Sequence, residues 1–159
     1  AKAGALDAPG AAALLARAKA DAVAAISPGH VVLGADQTLA LDSTRFSKPA
    51  DRQAAAQQLR SLRGKTHALH SALALVHDGT LLFACVDTAL LTMRDVSDRF
   101  IEDYLDMAGD VALSSVGAYQ LEGLGIHLFE RVEGDYFTIL GLPLLPLLAF
   151  LRGKGFVDG

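Results

Sequence analysis

A chain of 159 residues is long enough to bury a real core in one domain, and its apolar fraction of 52% with 20% charged residues is that of a soluble globular protein. The formal charge of −4 argues against bulk binding to a nucleic-acid polymer, which wants a basic surface, whereas a small polyanion needs only a few converging Lys and Arg side chains. The single cysteine, Cys85, excludes an internal disulfide and a thiolate zinc cluster, and fits a reducing cytoplasm.

The first ten residues are small, flexible in character, and lack the basic-then-apolar layout of a signal peptide. Residues 11–26 predict a helix, with Leu14, Leu15, Ala18, Ala22, Val23 and Ile26 on one buried stripe and Ser27-Pro28-Gly29 as its stop. Lys19 lies four residues from both Leu15 and Val23, at the edge of that stripe, which suits a snorkelling lysine. Arg17 points the other way. Val31-Val32-Leu33 opens a buried strand. Gly34 and Ala35 are small enough for a ligand to approach the backbone, and Asp36, followed by Gln37, stands where the strand should end. Taken alone, Asp36 is as readily a turn or cap residue. Thr38 to Leu41 continues extended, and residues 42–47 are polar and turn-like. Pro49 forces Lys48 toward an extended backbone, so an acid and a base flank a short strand.

Asp51 is placed to cap a helix whose apolar stripe is Ala55, Leu59 and Leu62 and whose stop is Gly64. Gln53, Gln57, Arg60 and Arg63 fall on its solvent side. Thr66 to Val76 and Leu81 to Met93 predict two strands joined at Asp78-Gly79, the strongest hairpin signal in the chain. His67, His70 and His77 lie in or beside this hairpin. Residues three apart on a strand face opposite sides, so His67 and His70 do not suit a shared metal. Ser97 caps a further helix with Phe100, Ile101, Tyr104, Leu105 and Ala108 buried, Gly109 as stop, and a solvated acidic exterior of Asp95, Asp98, Glu102, Asp103 and Asp106. Residues 114–125 predict a loop with one helical turn, Ile126 to Val132 a strand, and Glu133-Gly134-Asp135 a turn. Pro143 is tolerated in the first turn of a last helix packed by Leu144, Leu147, Leu148 and Leu151. The most apolar stretch, residues 139–151, is too short and too broken by Gly141, Pro143 and Pro146 to span a membrane. No linker divides the chain, so residues 1–159 are expected to form a single domain.

Several of these segments share an order and spacing. Gly34-Ala35-Asp36-Gln37, Ser47-Lys48-Pro49-Ala50-Asp51-Arg52 and Gly64-Lys65-Thr66-His67 are followed by Gly117-Ala118-Tyr119-Gln120-Leu121-Glu122-Gly123, Phe129-Glu130-Arg131-Val132-Glu133-Gly134-Asp135-Tyr136 and Gly141-Leu142-Pro143. Together they resemble the Maf family of nucleoside triphosphate pyrophosphatases, over roughly residues 11–152. The resemblance implies an α/β fold with a mixed, bent sheet flanked by helices around a central cleft, similar to the inosine triphosphate pyrophosphatases. It implies a cytoplasmic enzyme that converts a nucleoside triphosphate to the monophosphate and pyrophosphate, clearing noncanonical nucleotides. The family also carries a strand and a Ser-x-Ser-x-x-Arg phosphate loop ahead of this region, and nothing in these 159 residues replaces them. On that ground the chain by itself is expected to hold a triphosphate poorly and to be weakly active or inactive. Loss of that strand would leave an unpaired sheet edge or a gap, so the chain is expected to be prone to association; a homodimer is among the expected partners.

The reaction needs an activated water, compensation of phosphate charge, and recognition of the base. A divalent cation, Mg or Mn, serves the first two, taking carboxylate, water and phosphate oxygens. Asp36 is the candidate proton acceptor or, through water, metal ligand; the resemblance carries the proton-acceptor role onto it. Lys19 and Lys48 are the candidates to meet phosphate, as compact charges suited to a flexible chain of phosphates. Gln37 and Glu122 are the candidates to shape substrate choice. Their pairing resembles the family branch acting on 7-methyl-guanosine triphosphate. A carboxylate accepts from a guanine edge and offers uracil or thymine carbonyls no donor. The rival expectation from another class is a non-catalytic nucleotide- or partner-binding regulator of septum formation.

Overall fold

The computed structural model describes residues 6–158. Expectations that concern the first five residues lie outside that range. Helix α1 spans Ala8–Ala24; the Asp7 carboxylate caps it by accepting from the Gly10 backbone N–H at 2.9 Å, and Pro9 occupies its first turn. The helix therefore begins before the predicted residue 11. Its buried face also differs from the prediction. Ala12, Ala16, Ala20 and Ala24 are buried, while Leu15, Val23 and Ile26 are exposed. The reason is contact distance. A Cβ on Gly34 would stand 2.2 Å from the Ala16 carbonyl oxygen and 2.6 Å from the Ala20 nitrogen, so the helix backbone rests almost directly on a strand. Only a stripe of small side chains permits that approach.

Strand β1 runs unbroken through Val31–Leu41, so Asp36 lies inside it and not at its end. Asp42, with φ 53°, turns the chain into β2, Thr44–Phe46, which pairs antiparallel with Leu39–Leu41. Helix α2, Arg52–Leu62, is capped by Asp51, whose side chain accepts from the Ala54 N–H at 2.8 Å. Strands β3, Thr66–His77, and β4, Thr80–Met93, meet at Asp78 and Gly79, with φ of 47° and 76°; both positive values match a type I′ hairpin turn. Ser97 caps α3, Asp98–Ala108, and the short α4 covers Val111–Ser114. Two 3₁₀ turns follow, Val116–Ala118 and Leu124–Leu128. The second takes residues 126–128 out of the predicted strand, which begins only at Phe129, as β5, Phe129–Glu133. Asp135 caps α5, Tyr136–Ile139, and α6 is Leu144–Gly153. The strands form a five-stranded sheet in the order β2-β1-β3-β4-β5, giving the mixed α/β fold with a central sheet flanked by helices.

The chain divides into two compact units, each holding part of β1, β3 and β4. One comprises the chain up to Gln37, His70–Thr88, and the chain from Asp135 onward. Alternation along β3 places Ala72, Ala74 and Val76 against α1, and Leu73 and Leu75 against Leu147 of α6. These two helices therefore cover opposite faces of the strand. The second unit comprises Thr38–Leu69 and Ala89–Gly134, with Leu59, Leu62, Leu91, Met93, Ile101 and Leu128 fully buried. Here the acidic exterior of α3 is paired with α2. Asp98 meets Arg60 and Arg63 at 3.1 and 2.9 Å, Glu102 meets Arg52 and Arg60 at 2.8 and 2.9 Å, and Asp106 meets Arg52 at 2.9 Å. Arg60 and Arg63, expected in open solvent, supply these partners. No described helix is long and apolar enough to cross a membrane.

Candidate active site

The period of two along β1 decides which candidate residues meet. Val32, Gly34 and Asp36 face α1: Val32 packs on the Ala20–Ala24 cluster, and Gly34 lies under Ala16 and Ala20. Asp36, next on that face, receives Lys19 from the same helix. The Lys19 ammonium donates to Asp36 Oδ1 at 2.5 Å and to the Ala35 carbonyl at 3.1 Å. The lysine side chain is 59% exposed and the carboxylate 15%, so the pair has a wet side and a sheltered one. The close seating of α1 on Gly34 is what brings a residue one turn along the helix within reach of Asp36.

Gln37 leaves β1 on the opposite face. Its amide nitrogen donates to Ser71 Oγ at 2.8 Å and to the Thr138 and Ile139 carbonyls at 3.1 and 3.0 Å. Ser71 Oγ in turn donates to the Thr138 carbonyl at 2.6 Å, and Thr138 Oγ1 to Asp87 Oδ2 at 2.6 Å. Ser71 and Thr138 are fully buried, so each polar group in this network needs the partner it has. Gln37 thus ties α5 to the sheet. Asp36 and Gln37, adjacent in sequence, are brought to different surroundings.

Lys48 and Glu122 both belong to the other unit. Lys48 is exposed between β2 and α2, beside buried Pro49; Glu122 is exposed in the turn between the two 3₁₀ segments. Neither side chain has a hydrogen bond or ion pair among the described residues. The backbone leading to Glu122 is held hard. Gly117 and Ala118 have φ of 82° and 63°, and the left-handed conformation is costly for alanine. Three consecutive residues are anchored from three elements. The Gly117 N–H donates to Gln58 Oε1 at 3.1 Å, the Ala118 carbonyl accepts from Tyr104 Oη at 3.1 Å, and Tyr119 Oη lies 2.7 Å from His67 Nε2.

His67 is buried against Tyr119 and Phe129, with ring centroids 5.7 and 5.8 Å away. Burial lowers its pKa to about 4, and its Nδ1 has no hydrogen-bond partner among the described residues. Burial likewise pushes the Tyr104 hydroxyl up to about 12 and raises that of Tyr119 further. His67 pairs with a tyrosine and His70 with Thr88 Oγ1 at 2.9 Å. The described residues contain no group of three or more His, Cys, Asp or Glu side chains placed to hold a metal.

The sequence reading passed over Gln58, Ser71, Thr138 and the partnership of His67 with Tyr119. Two of these had a signal. Gln58 is polar on the apolar stripe of Ala55, Leu59 and Leu62, and Ser71 is a polar residue at the head of the apolar run 72–76.

Comparison with known proteins places these residues in a family context. The family described as Maf-like protein matches residues 2–154. A nucleoside triphosphate pyrophosphatase of Rhodopseudomonas palustris is 61% identical over 155 residues, covering 97% of this chain and 77% of that protein. One from Bradyrhizobium diazoefficiens is 62% identical over 141 residues, 89% of this chain and 70% of its own. A Brucella abortus protein named 7-methyl-GTP pyrophosphatase is 56% identical over 146 residues, 92% of this chain and 73% of its own.

Proposed function

The chain belongs to the Maf-like family of nucleoside triphosphate pyrophosphatases, and from that premise we propose that the triphosphate it hydrolyses carries a guanine-type base, 7-methyl-GTP among them. The general reaction is hydrolysis of a nucleoside triphosphate to the monophosphate and pyrophosphate. The observation that carries our reading of the site is the pairing of Lys19 with Asp36 on one face of β1. Asp36 accepts the proton of the water that attacks phosphorus. Lys19 holds the carboxylate in place until a triphosphate offers the ammonium a second set of oxygens, and Lys48 adds a second positive charge toward the phosphates. Gln37 acts through what it holds, fixing Thr138 and Ile139 of α5 against the sheet.

A single partly sheltered carboxylate suits a hard cation that draws its remaining ligands from water and phosphate, and does not suit one that needs a closed protein cage. Asp36 would hold such an ion, Mg or Mn, through a water; when bound, the ion supplies charge compensation and a more acidic water.

Glu122 supports the choice of base. Its carboxylate is exposed and unpaired among the described residues, so both oxygens can accept from the N1–H and exocyclic amine of guanine. Methylation at N7 adds a positive charge that a carboxylate favours. The test is pyrophosphate release from GTP, 7-methyl-GTP, ITP, UTP and dTTP. Guanine-type substrates are expected to lead. Preference for UTP or dTTP would overturn the base assignment, and release from none of the five by this chain preceded by a family-type strand and Ser-x-Ser-x-x-Arg loop would overturn the reaction.

A further inference from the structure

We propose that Gln58 is a positioning residue that locks the Lys48 segment to the Glu122 loop; this rests on the roles given to Lys48 and Glu122 above. Gln58 lies on α2, half-buried, on the stripe that packs the helix down. Its two amide atoms serve two different stretches of chain. Nε2 donates to the Ser47 carbonyl at 2.7 Å, one residue before Lys48. Oε1 accepts from the Gly117 N–H at 3.1 Å, at the head of the loop that ends in Glu122. An amide donates to a carbonyl from its nitrogen and accepts from an N–H at its oxygen, so one side chain serves both stretches. An apolar residue would pack on the same stripe and leave both backbone groups without this partner.

The Gly117 end of this clamp needs holding. Ala118, next to Gly117, sits at positive φ, a conformation an alanine would leave if released. A Cβ on Gly117 would come within 2.7 Å of Leu39 Cδ1 and of the Tyr119 ring, so the segment is also enclosed. Tyr104 and His67 hold the two residues that follow, and neither has a hydrogen bond to the Lys48 segment among the described residues. Among these anchors in the described residues, Gln58 is the one hydrogen-bonded to both stretches. It fixes the backbone from which one side chain meets phosphate and the other meets the base.

The two functions of the amide can be separated. Gln58→Leu removes both hydrogen bonds. Gln58→Glu keeps an acceptor for Gly117 and loses the donor to Ser47. In the full chain, Gln58→Leu is expected to raise KM for GTP by about 3- to 10-fold, the worth of one or two hydrogen bonds, with a smaller change in kcat. It should also compress the GTP-to-UTP ratio of kcat/KM. Gln58→Glu should raise KM while keeping that ratio. A residue that served only folding would lower the melting temperature and leave both quantities near the parent values. Amide hydrogen exchange over residues 117–123 is the arm independent of turnover: it should quicken in Gln58→Leu and not in Gln58→Glu. Lys48→Ala and Glu122→Gln run alongside. If neither changes KM or the ratio, the roles given to those two residues fail, and exchange alone decides the clamp. Parent-like exchange in Gln58→Leu, or parent-like KM and ratio in a background where Lys48 and Glu122 do act, would overturn the proposal.

Discussion

Asp36 and Glu122 are the two side chains on which the chemistry can be tested one atom at a time. Asp36→Asn keeps the shape and can still accept from Lys19, but the amide takes no proton at neutral pH. Pyrophosphate release should fall by about 100- to 10,000-fold with the fold retained by circular dichroism. Turnover near the parent rate would remove Asp36 from the proton-acceptor role. Glu122→Gln adds a donor and should move the preference from guanine-type bases toward UTP and dTTP; an unchanged ratio of specificity constants would show that this side chain does not meet the base. His67 yields a pH prediction. Its pKa falls from 6.5 to about 4 on folding because the ring is buried, and its Nδ1 has no acceptor waiting for a proton. The unfolded chain therefore binds the proton first as pH drops. Stability from the neutral ring is present above about 6.5 and declines as pH falls toward about 4. Relative to pH 7.5, the loss should be about 2 kcal/mol by pH 5. Urea unfolding of the parent and His67→Phe at both pH values checks this: the variant is less stable throughout, and its dependence on pH over this window should be shallower. Equal slopes would show that folding leaves the proton affinity of His67 unchanged.

Helix α1 and strand β1 act as one device. The alanine stripe and Gly34 let the helix descend until Lys19 reaches Asp36. Gly34→Ala drives a methyl group into the backbone of Ala16 and Ala20, which cannot yield as a side-chain tip could. The cost should be about 1–3 kcal/mol, read from the urea midpoint, and activity should fall with it as Lys19 is lifted away. A parent-like midpoint would mean that the helix is free to shift outward. Helices α2 and α3 show the opposite kind of contact. Their arginines and acids are partly exposed, and exposed ion pairs are typically worth less than about 1 kcal/mol each. They serve better to set which faces meet than to hold the unit together; that work falls to Leu59, Leu62, Ile101 and Leu105, which are buried.

For the whole molecule, the proposed reaction predicts dependence on an added cation. On the proposed reading, Asp36 would hold the ion together with water and phosphate oxygens, so the ion should be readily removed. Chelation should abolish pyrophosphate release, and Mg or Mn should restore it, with little change in melting temperature either way. Full activity after exhaustive chelation would remove the cation from the reaction.

Local chemistry was enough for the sequence to determine the punctuation of this chain. Asp51 and Ser97 cap helices, Asp78-Gly79 turns a hairpin, and Gly109 stops α3, because each depends on neighbours only a few residues away. The motif order likewise carried the family and singled out Asp36 before any fold was in view. Tertiary structure alone decided which surfaces meet. The leucines of α1 have the larger hydrophobic gain, yet the alanines are buried, because a strand backbone lies too close for anything bigger. Gln37 follows Asp36 in sequence but turns to the other face, since successive residues of a strand diverge and the sequence had placed Asp36 at a strand's end. Gln58 and His67 gain their partners across 59 and 52 residues of chain, and separations of that kind leave no periodicity to detect. Capping and turns are short-range; closeness of approach and partnership between distant side chains exist only once the chain has packed.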